Sequence, residues 1–254
     1  MKILPLRTLP PNERIERRHS PPEATGEAGY QDYRPCLRWD FGFTCAFCLL
    51  HEGDLAEFGA EGMGIMWIEH FTPASLDARQ INDYENCFYA CRFCNRSRWK
   101  APLVDESGRR LIDPCRHVWG ERFFLSEDDH LLPDKADPDA VYTAETYDLN
   151  DDRKVRRRRR RRERLTEWLA VLKGGPARIK LLITLAQRVS SLEDASLLVE
   201  EANSLRHRVI LATLEIQRYF VVPVDADGSC PCGRDEHCRL PEWLAAQAQD
   251  FPAS

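Results

Sequence analysis

The spacing of apolar residues changes near residue 150 and divides the chain. From Tyr33 to Asn150 the apolar residues come in short runs broken by Gly, Pro and Asp, a pattern of short strands and loops. In "GMGIMWIEHF" the residues Ile65, Met66, Trp67 and Ile68 follow Gly62 and Gly64, which predicts a short strand entered by a glycine turn. In "DYENCFYACRFCNRSRWK" the spacing of Tyr84, Cys87, Phe88 and Cys91 predicts a short helix. Residues 127–139 read as an acidic loop punctuated by proline.

Beyond Asn150 the period becomes helical. Asn150, Asp151 and Asp152 can cap a helix reaching Lys173, with Leu165, Trp168, Leu169 and Leu172 on one face and Gly174-Gly175-Pro176 as its end. Ile179, Leu182, Ile183, Ala186 and Val189 mark a second helix. Ser190 and Glu193 resemble a capping box for a third. On it Ala195, Leu198, Ala202, Leu205, Val209, Ala212, Ile216 and Tyr219 recur at spacings of three and four. That stripe suits packing within the chain, or a protein partner or homodimer through the 191–219 helix. The expected layout is an N-terminal arm (1–32), an α+β domain (33–150), a helical region with a basic first helix (151–222) and a Cys-containing C-terminal segment (223–254).

Composition narrows the function classes. With 254 residues, 43% of them hydrophobic, there is enough apolar material for a core. No run approaches the roughly 18 apolar residues of a membrane-spanning helix. The start, "MKILPLRTLPP", lacks a secretory apolar stretch, so a cytoplasmic setting is expected. Thiols stay reduced there, and ten cysteines point to metal binding rather than disulfides.

The formal net charge of −5 conceals an asymmetry. Residues 153–164 hold ten Lys or Arg and one Glu; out of totals of 36 basic and 41 acidic residues, the rest of the chain has 26 and 40. Such a block on an acidic body is expected either to meet a polyanion or to form a solvated helix surface. A third possibility is that it meets an acidic patch such as residues 127–139.

The chemistry concentrates in two Cys-x-x-Cys knuckles, Cys45/Cys48 and Cys91/Cys94, separated by 42 residues. Four thiolates in two such pairs can close a tetrahedral structural Zn²⁺ site. Cys87 is a competing ligand, but Cys94 gives the two knuckles matching spacing. Between the knuckles lies Ile68-Glu69-His70-Phe71-Thr72-Pro73, and the second knuckle runs directly into Asn95. A histidine at a strand end can act as a general base. A neighbouring carboxylate and an amide oxygen supply hard ligands for Mg²⁺ or Mn²⁺. Arg92, Arg96, Arg98 and Lys100 flank the last of these groups as candidate phosphate contacts. Arg156, Arg159 and Arg160 are further candidates in the basic helix. A separate group, Cys230, Cys232, His237 and Cys238, has ligand types that fit a second zinc.

Taken together, "FTCAFC", "IEHFTP", "DYENCFYACRFCN" and "LIDPC" resemble the zinc-containing subclass of the HNH, or ββα-metal, endonuclease family over about residues 33–150. "DPCRHVWGERFF" and "AETYDLN" are similar to the tail of many uncharacterised bacterial HNH proteins. The resemblance implies a zinc-stabilised ββα-metal core followed by an α-helical region, and hydrolysis of phosphodiester bonds in DNA. It also implies an anti-phage or mobile-element setting. By the same resemblance His70 is the general base, Asn86 orients His70, Glu69 and Asn95 hold a catalytic Mg²⁺ or Mn²⁺, and Cys45, Cys48, Cys91 and Cys94 hold zinc. Glu69 stands where Asp is common in the family, which adds a methylene to its reach.

Overall fold

The protein's structure, a computed structural model, describes residues 14–26, 29–55, 66–98, 101–220 and Cys232. The chain is of mixed α and β structure and falls into two compact units. One reaches from the arm to Arg159 and includes Cys232; the other runs from Arg160 to Phe220.

In the first unit, helix α1 (Arg34–Asp40) opens with Pro35 in its first turn, where a missing N–H costs nothing. After α1 the backbone turns left-handed at Gly42, Phe43 and Leu49. Phe43 and Leu49 are buried, and their packing holds a conformation that side chains otherwise avoid. The Cys45 N–H closes this first knuckle on the Leu50 carbonyl at 2.8 Å.

Strand β1 (Met66–His70) pairs antiparallel with β2 (Cys87–Cys91), Met66 opposite Cys91 and His70 opposite Cys87. Helix α2 (Arg92–Arg98) follows β2 without a linker, so β1, β2 and α2 form a ββα unit. The Ala46 N–H donates to the Tyr89 carbonyl at 2.8 Å, fastening the first knuckle to β2.

The segment 87–91, expected to be helical, is therefore a strand. All five of its residues are buried, so it shows no polar–apolar alternation. In such a strand, apolar residues three and four apart imitate a helix. The described part of the arm is tied to the core. Its residues 14–26 lack regular structure, but the Ile15 N–H bonds the Pro114 carbonyl at 3.2 Å. Arg17 lies over the Phe41, Tyr84 and Phe88 rings.

A one-turn helix α3 (Trp119–Arg122) and a hairpin of β3 (Phe123–Leu125) and β4 (Leu131–Pro133) lead to α4 (Pro138–Thr146), capped by the Asp137 carboxylate. These elements close the core over the first knuckle. Phe47 stacks on Tyr147 at 3.8 Å between ring centroids, and Trp119 stacks on Phe123.

Helix α5 (Asp152–Ala186) begins after Asp151, whose carboxylate accepts the Arg153 N–H at 2.9 Å. Asn150 instead bonds both backbone groups of Leu131. The helix does not stop at Gly174-Gly175-Pro176 but runs through Pro176. A Cβ on Gly175 would stand 2.5 Å from a methyl of Val209, so this glycine allows close approach of helix α6 (Leu192–Phe220) rather than ending α5. The α6 cap is Ser191, whose hydroxyl accepts the Asp194 N–H at 3.2 Å, one residue on from the expected box. The stripe on α6 faces inward: Ala202, Val209, Ala212 and Ile216 are buried. Among the described residues no helix is long and apolar enough to cross a membrane.

The two neighbouring glycines of α5 separate backbone cost from packing. Gly174 has open space where a Cβ would go, so Gly174→Ala should stabilise by about 0.5–1 kcal/mol. Gly175→Leu should instead destabilise by roughly 1–3 kcal/mol through its clash with Val209. Thermal melts of the two variants followed by circular dichroism should shift in opposite directions.

Candidate metal centre and active site

The four knuckle cysteines converge. Cys45 and Cys48 come from the turn after α1, Cys91 ends β2, and Cys94 lies in the first turn of α2. All four are completely buried, and their sulfurs lie within 4.8 Å of one another. The Cys48 and Cys91 sulfurs are 3.5 Å apart. In a tetrahedral site with Zn–S bonds of about 2.3 Å, sulfurs stand roughly 3.8 Å apart, so the group could hold a metal such as zinc with small adjustments. Burial and the crowding of like groups push the Cys91 and Cys94 thiols well above their ordinary pKa; burial pushes Cys48 up too, but hydrogen bonds from Cys45, Cys91 and Cys94 and the charge of Lys154 together outweigh it and hold Cys48 below its ordinary value. Cys87 is not part of the cage. It is buried at the other end of β2, where burial pushes its thiol up to about 12.

The cage meets cations from the arginine run. Lys154 is 1% exposed, and its ammonium donates to the carbonyls of Tyr147 and Asp148 at 2.5 and 2.9 Å. Burial pulls its pKa down, but the four cysteines more than offset this and raise it above the ordinary lysine value. Arg158 is also buried, and its guanidinium donates to the carbonyls of Asp129, Cys48 and Leu149. Lys154 and Arg158 were not expected at the site. The signal was the phase of the helix: the apolar face at Leu165 continues backwards through positions 161, 158 and 154.

Beside the cage, β1 and α2 bring Glu69 and Asn95 together. The Asn95 amide donates to the Glu69 carboxylate at 2.6 Å. Glu69 is buried, and burial raises its pKa to about 7 against the lowering effects of Arg98 and Asn95. Arg98 lies 3.9 Å from the Glu69 carboxylate and donates to the carbonyls of Ala101 and Phe71. At 2% exposure, Arg98 is a structural cation and not a surface phosphate contact as the sequence suggested. Tyr147 is buried near Glu69 and Arg98, with its phenol pKa raised by burial and by the Glu69 charge.

His70 is half-buried at the last position of β1, and its Nε2 lies 2.9 Å from the Ile81 carbonyl. A carbonyl only accepts, so this nitrogen carries the proton and Nδ1 keeps the lone pair. Burial lowers the histidine pKa, with the Ile81 bond opposing it, and so favours the neutral ring. The Tyr30 ring meets the imidazole edge-on at 4.6 Å. Asn86 makes no hydrogen bond to His70. Its side chain accepts from the Thr72 N–H at 2.7 Å and donates to the carbonyls of Thr72 and Gln80 at 3.0 Å, pinning the loop between the strands. An amide satisfied by three backbone groups has no donor left for the imidazole.

The remaining predicted cations divide. Arg96, Arg156 and Arg160 are exposed. Arg159 donates to the Asp128 carbonyl at 3.1 Å and lies 3.5 Å from the buried Asp129 carboxylate, so it meets the acidic loop. Lys100 lies outside the described residues. Arg92, Arg153 and Arg157 gather around the Phe93 ring at 4.9–5.1 Å. Burial and the charge of Arg92 hold the Arg157 pKa below its ordinary value. Comparison with family models, with curated proteins and with solved structures gave no match.

With a metal in the cage, the buried ammonium should matter to its retention. Lys154→Met keeps the apolar stem and removes the charge beside the thiolates. Groups packed around metal ligands typically affect affinity by about 10–100-fold. The variant is expected to lose zinc that much more readily to a competing chelator. Unchanged retention would show that Lys154 only fills space.

Proposed function

We propose that the chain is a metal-dependent endonuclease of the HNH, or ββα-metal, type that hydrolyses phosphodiester bonds in DNA, with zinc in the four-cysteine cage. The observation that carries this reading is the order and closeness of the groups. Glu69 and His70 end the first strand, and Asn95 lies in the first turn of the helix after the second. The Asn95 amide reaches the Glu69 carboxylate at 2.6 Å. Cys91 and Cys94 bracket the same strand–helix junction.

The donor set fits a hard divalent cation, since turning the Asn95 amide over presents its oxygen beside the carboxylate. Bound there, Mg²⁺ or Mn²⁺ would supply positive charge for the phosphate and for the leaving oxygen. The chain's own residues do the rest. Nδ1 of neutral His70 takes a proton from water. The resulting hydroxide attacks phosphorus as the bond to the leaving oxygen breaks. Asn86 holds the loop that carries Ile81, and the Ile81 carbonyl fixes the imidazole tautomer. The cationic group at Phe93, with exposed Arg96 and Arg156, holds the DNA backbone on the side of α2 and α5.

One observation favours a second reading, a zinc module that binds nucleic acid without cutting it. Glu69 already has Asn95 and Arg98 as neighbours, a set that can serve simply to tie β1 to α2. A third, a partner-activated subunit, draws on Leu197, Val199, Ile210, Leu211 and Leu214, which α6 leaves exposed beside its buried stripe.

His70→Ala separates catalysis from binding. A general base adds rate rather than affinity, so the variant should lose roughly 10²–10⁴ in Mn²⁺-dependent cleavage while zinc content and DNA affinity stay unchanged. Cleavage at the wild-type rate would overturn the assignment. The arginines report on how the DNA backbone is held. Replacing Arg92, Arg153 and Arg157 together by Gln should flatten the slope of log affinity against log salt by about 0.9 for each phosphate no longer neutralised. The flattening should be alike on unrelated sequences. A slope equal to that of the wild type would remove this cluster from the interface.

A further inference from the structure

We propose a second metal site, built from His19 of the arm, Cys36 of α1 and Cys232 of the C-terminal segment. One ligand atom from each lies within 4.8 Å of the other two. His19 is 4% exposed and Cys36 is fully buried, while Cys232 is partly exposed. Nδ1 of His19 and the Cys232 sulfur stand 3.0 Å apart. Two thiols and one imidazole form a borderline-soft donor set suited to Zn²⁺, with bonds of about 2.0–2.1 Å to nitrogen and 2.3 Å to sulfur.

The site is held in place by groups that are not ligands. Asp40 stands one turn after Cys36 on α1. Its carboxylate accepts the backbone N–H groups of Arg18 and His19 at 2.9 and 3.2 Å, and the Tyr84 hydroxyl at 2.7 Å. These bonds fix the arm at the residue whose imidazole faces Cys36. An arm without regular structure gains such anchoring at a point where a donor is required.

The sequence offered Cys230, Cys232, His237 and Cys238 as ligand types that fit a second zinc. In the structure Cys232 stands beside residues about 200 positions away in the chain, with a separation of 213 from His19. Cys230, His237 and Cys238 lie outside the described residues. The site is structural: it ties Cys232 to the arm and to α1, beside the Asp40–Tyr84 contact. It does not depend on whether the strand–helix site cleaves DNA.

The test uses the full chain, expressed with zinc supplied and freed of loosely held ions. Elemental analysis is expected to give two zinc ions per chain. Cys232→Ser, at a partly exposed position, should give one, with far-ultraviolet circular dichroism unchanged. His19→Ala should also give one. Cobalt(II) substitution supplies a second readout. The wild type should show the spectrum of a four-thiolate site superimposed on that of a site with fewer sulfurs, and Cys232→Ser should lose only the latter. A wild-type content of one zinc per chain, or a Cys232→Ser variant that keeps two, would overturn the proposal.

Discussion

Four thiolates around one divalent ion carry a net charge of −2, and a dry interior tolerates such a charge only when cations are buried with it. The fold meets this condition with its own basic helix. Lys154 and Arg158 lie in the first unit on the opening turns of α5, where their charged ends meet the carbonyls of Tyr147, Asp148, Leu149 and Cys48, and Lys154 also meets the field of the cage. Each of those carbonyls belongs to a segment that must be in place around the cysteines. Balancing the cage therefore also fastens the chain after α4, the first knuckle and the first turns of α5. These polar ties add to the apolar packing of Phe47, Leu50, Tyr147 and Leu149, all of which are fully buried.

The candidate catalytic groups inherit their positions from the same cage. Cys91 and Cys94 lie on either side of the junction between β2 and α2, and a shared metal would fix the angle between strand and helix there. Asn95 follows at once, so its reach toward β1 is set by that angle. The other half of the geometry is the strand register, with Glu69 opposite Phe88. A slip of one residue would turn Glu69 to the opposite face and move His70 with it. Asn86 guards against the slip from the loop side by tying Thr72 to Gln80. Cage, register and loop staple thus bear on the position of one carboxylate through α2, through β2 and through the loop after β1.

What was legible in the sequence was chiefly local chemistry. Paired knuckles announce a tetrahedral site because the spacing of each pair matches the bite of a metal, and the four cysteines do come together. The end of β1 was legible from Pro73 and the apolar run before it. The strand nature of 87–91 was not, because burial of every residue erases alternation. Nor was the passage of α5 through Pro176. Local propensity argues for a stop there, whereas the reason for Gly175 is Val209, 34 positions further on. The same limit hid the cluster of His19, Cys36 and Cys232. Its members share no motif, and only the folded chain brings His19, Cys36 and Cys232 to one place.

The arginine run shows how a simple composition can carry two roles. Consecutive residues on a helix are turned by about 100°, so an unbroken basic block cannot present one face only. Lys154, Arg158 and Arg161 recur at the helical period and are buried, while Arg153, Arg156, Arg160 and Arg162 are exposed. A solvated surface and a polyanion contact look like alternatives when the run is taken as a whole. Helical phase makes that a false choice, since Lys154 and Arg158 of the inward set are committed to carbonyls, and Lys154 to the field of the cysteines, whatever the outward set meets. An arginine at every position meets both demands at once, because its long stem can lie along apolar surface while its planar head bonds several carbonyls. Arg158 does this with three backbone carbonyls and the Asn150 amide oxygen, whereas Arg156, on another face of the helix, stays at the surface. Charge removed from the run should therefore act on stability or on whatever the outward face meets according to its position around the helix, not according to how many arginines are replaced.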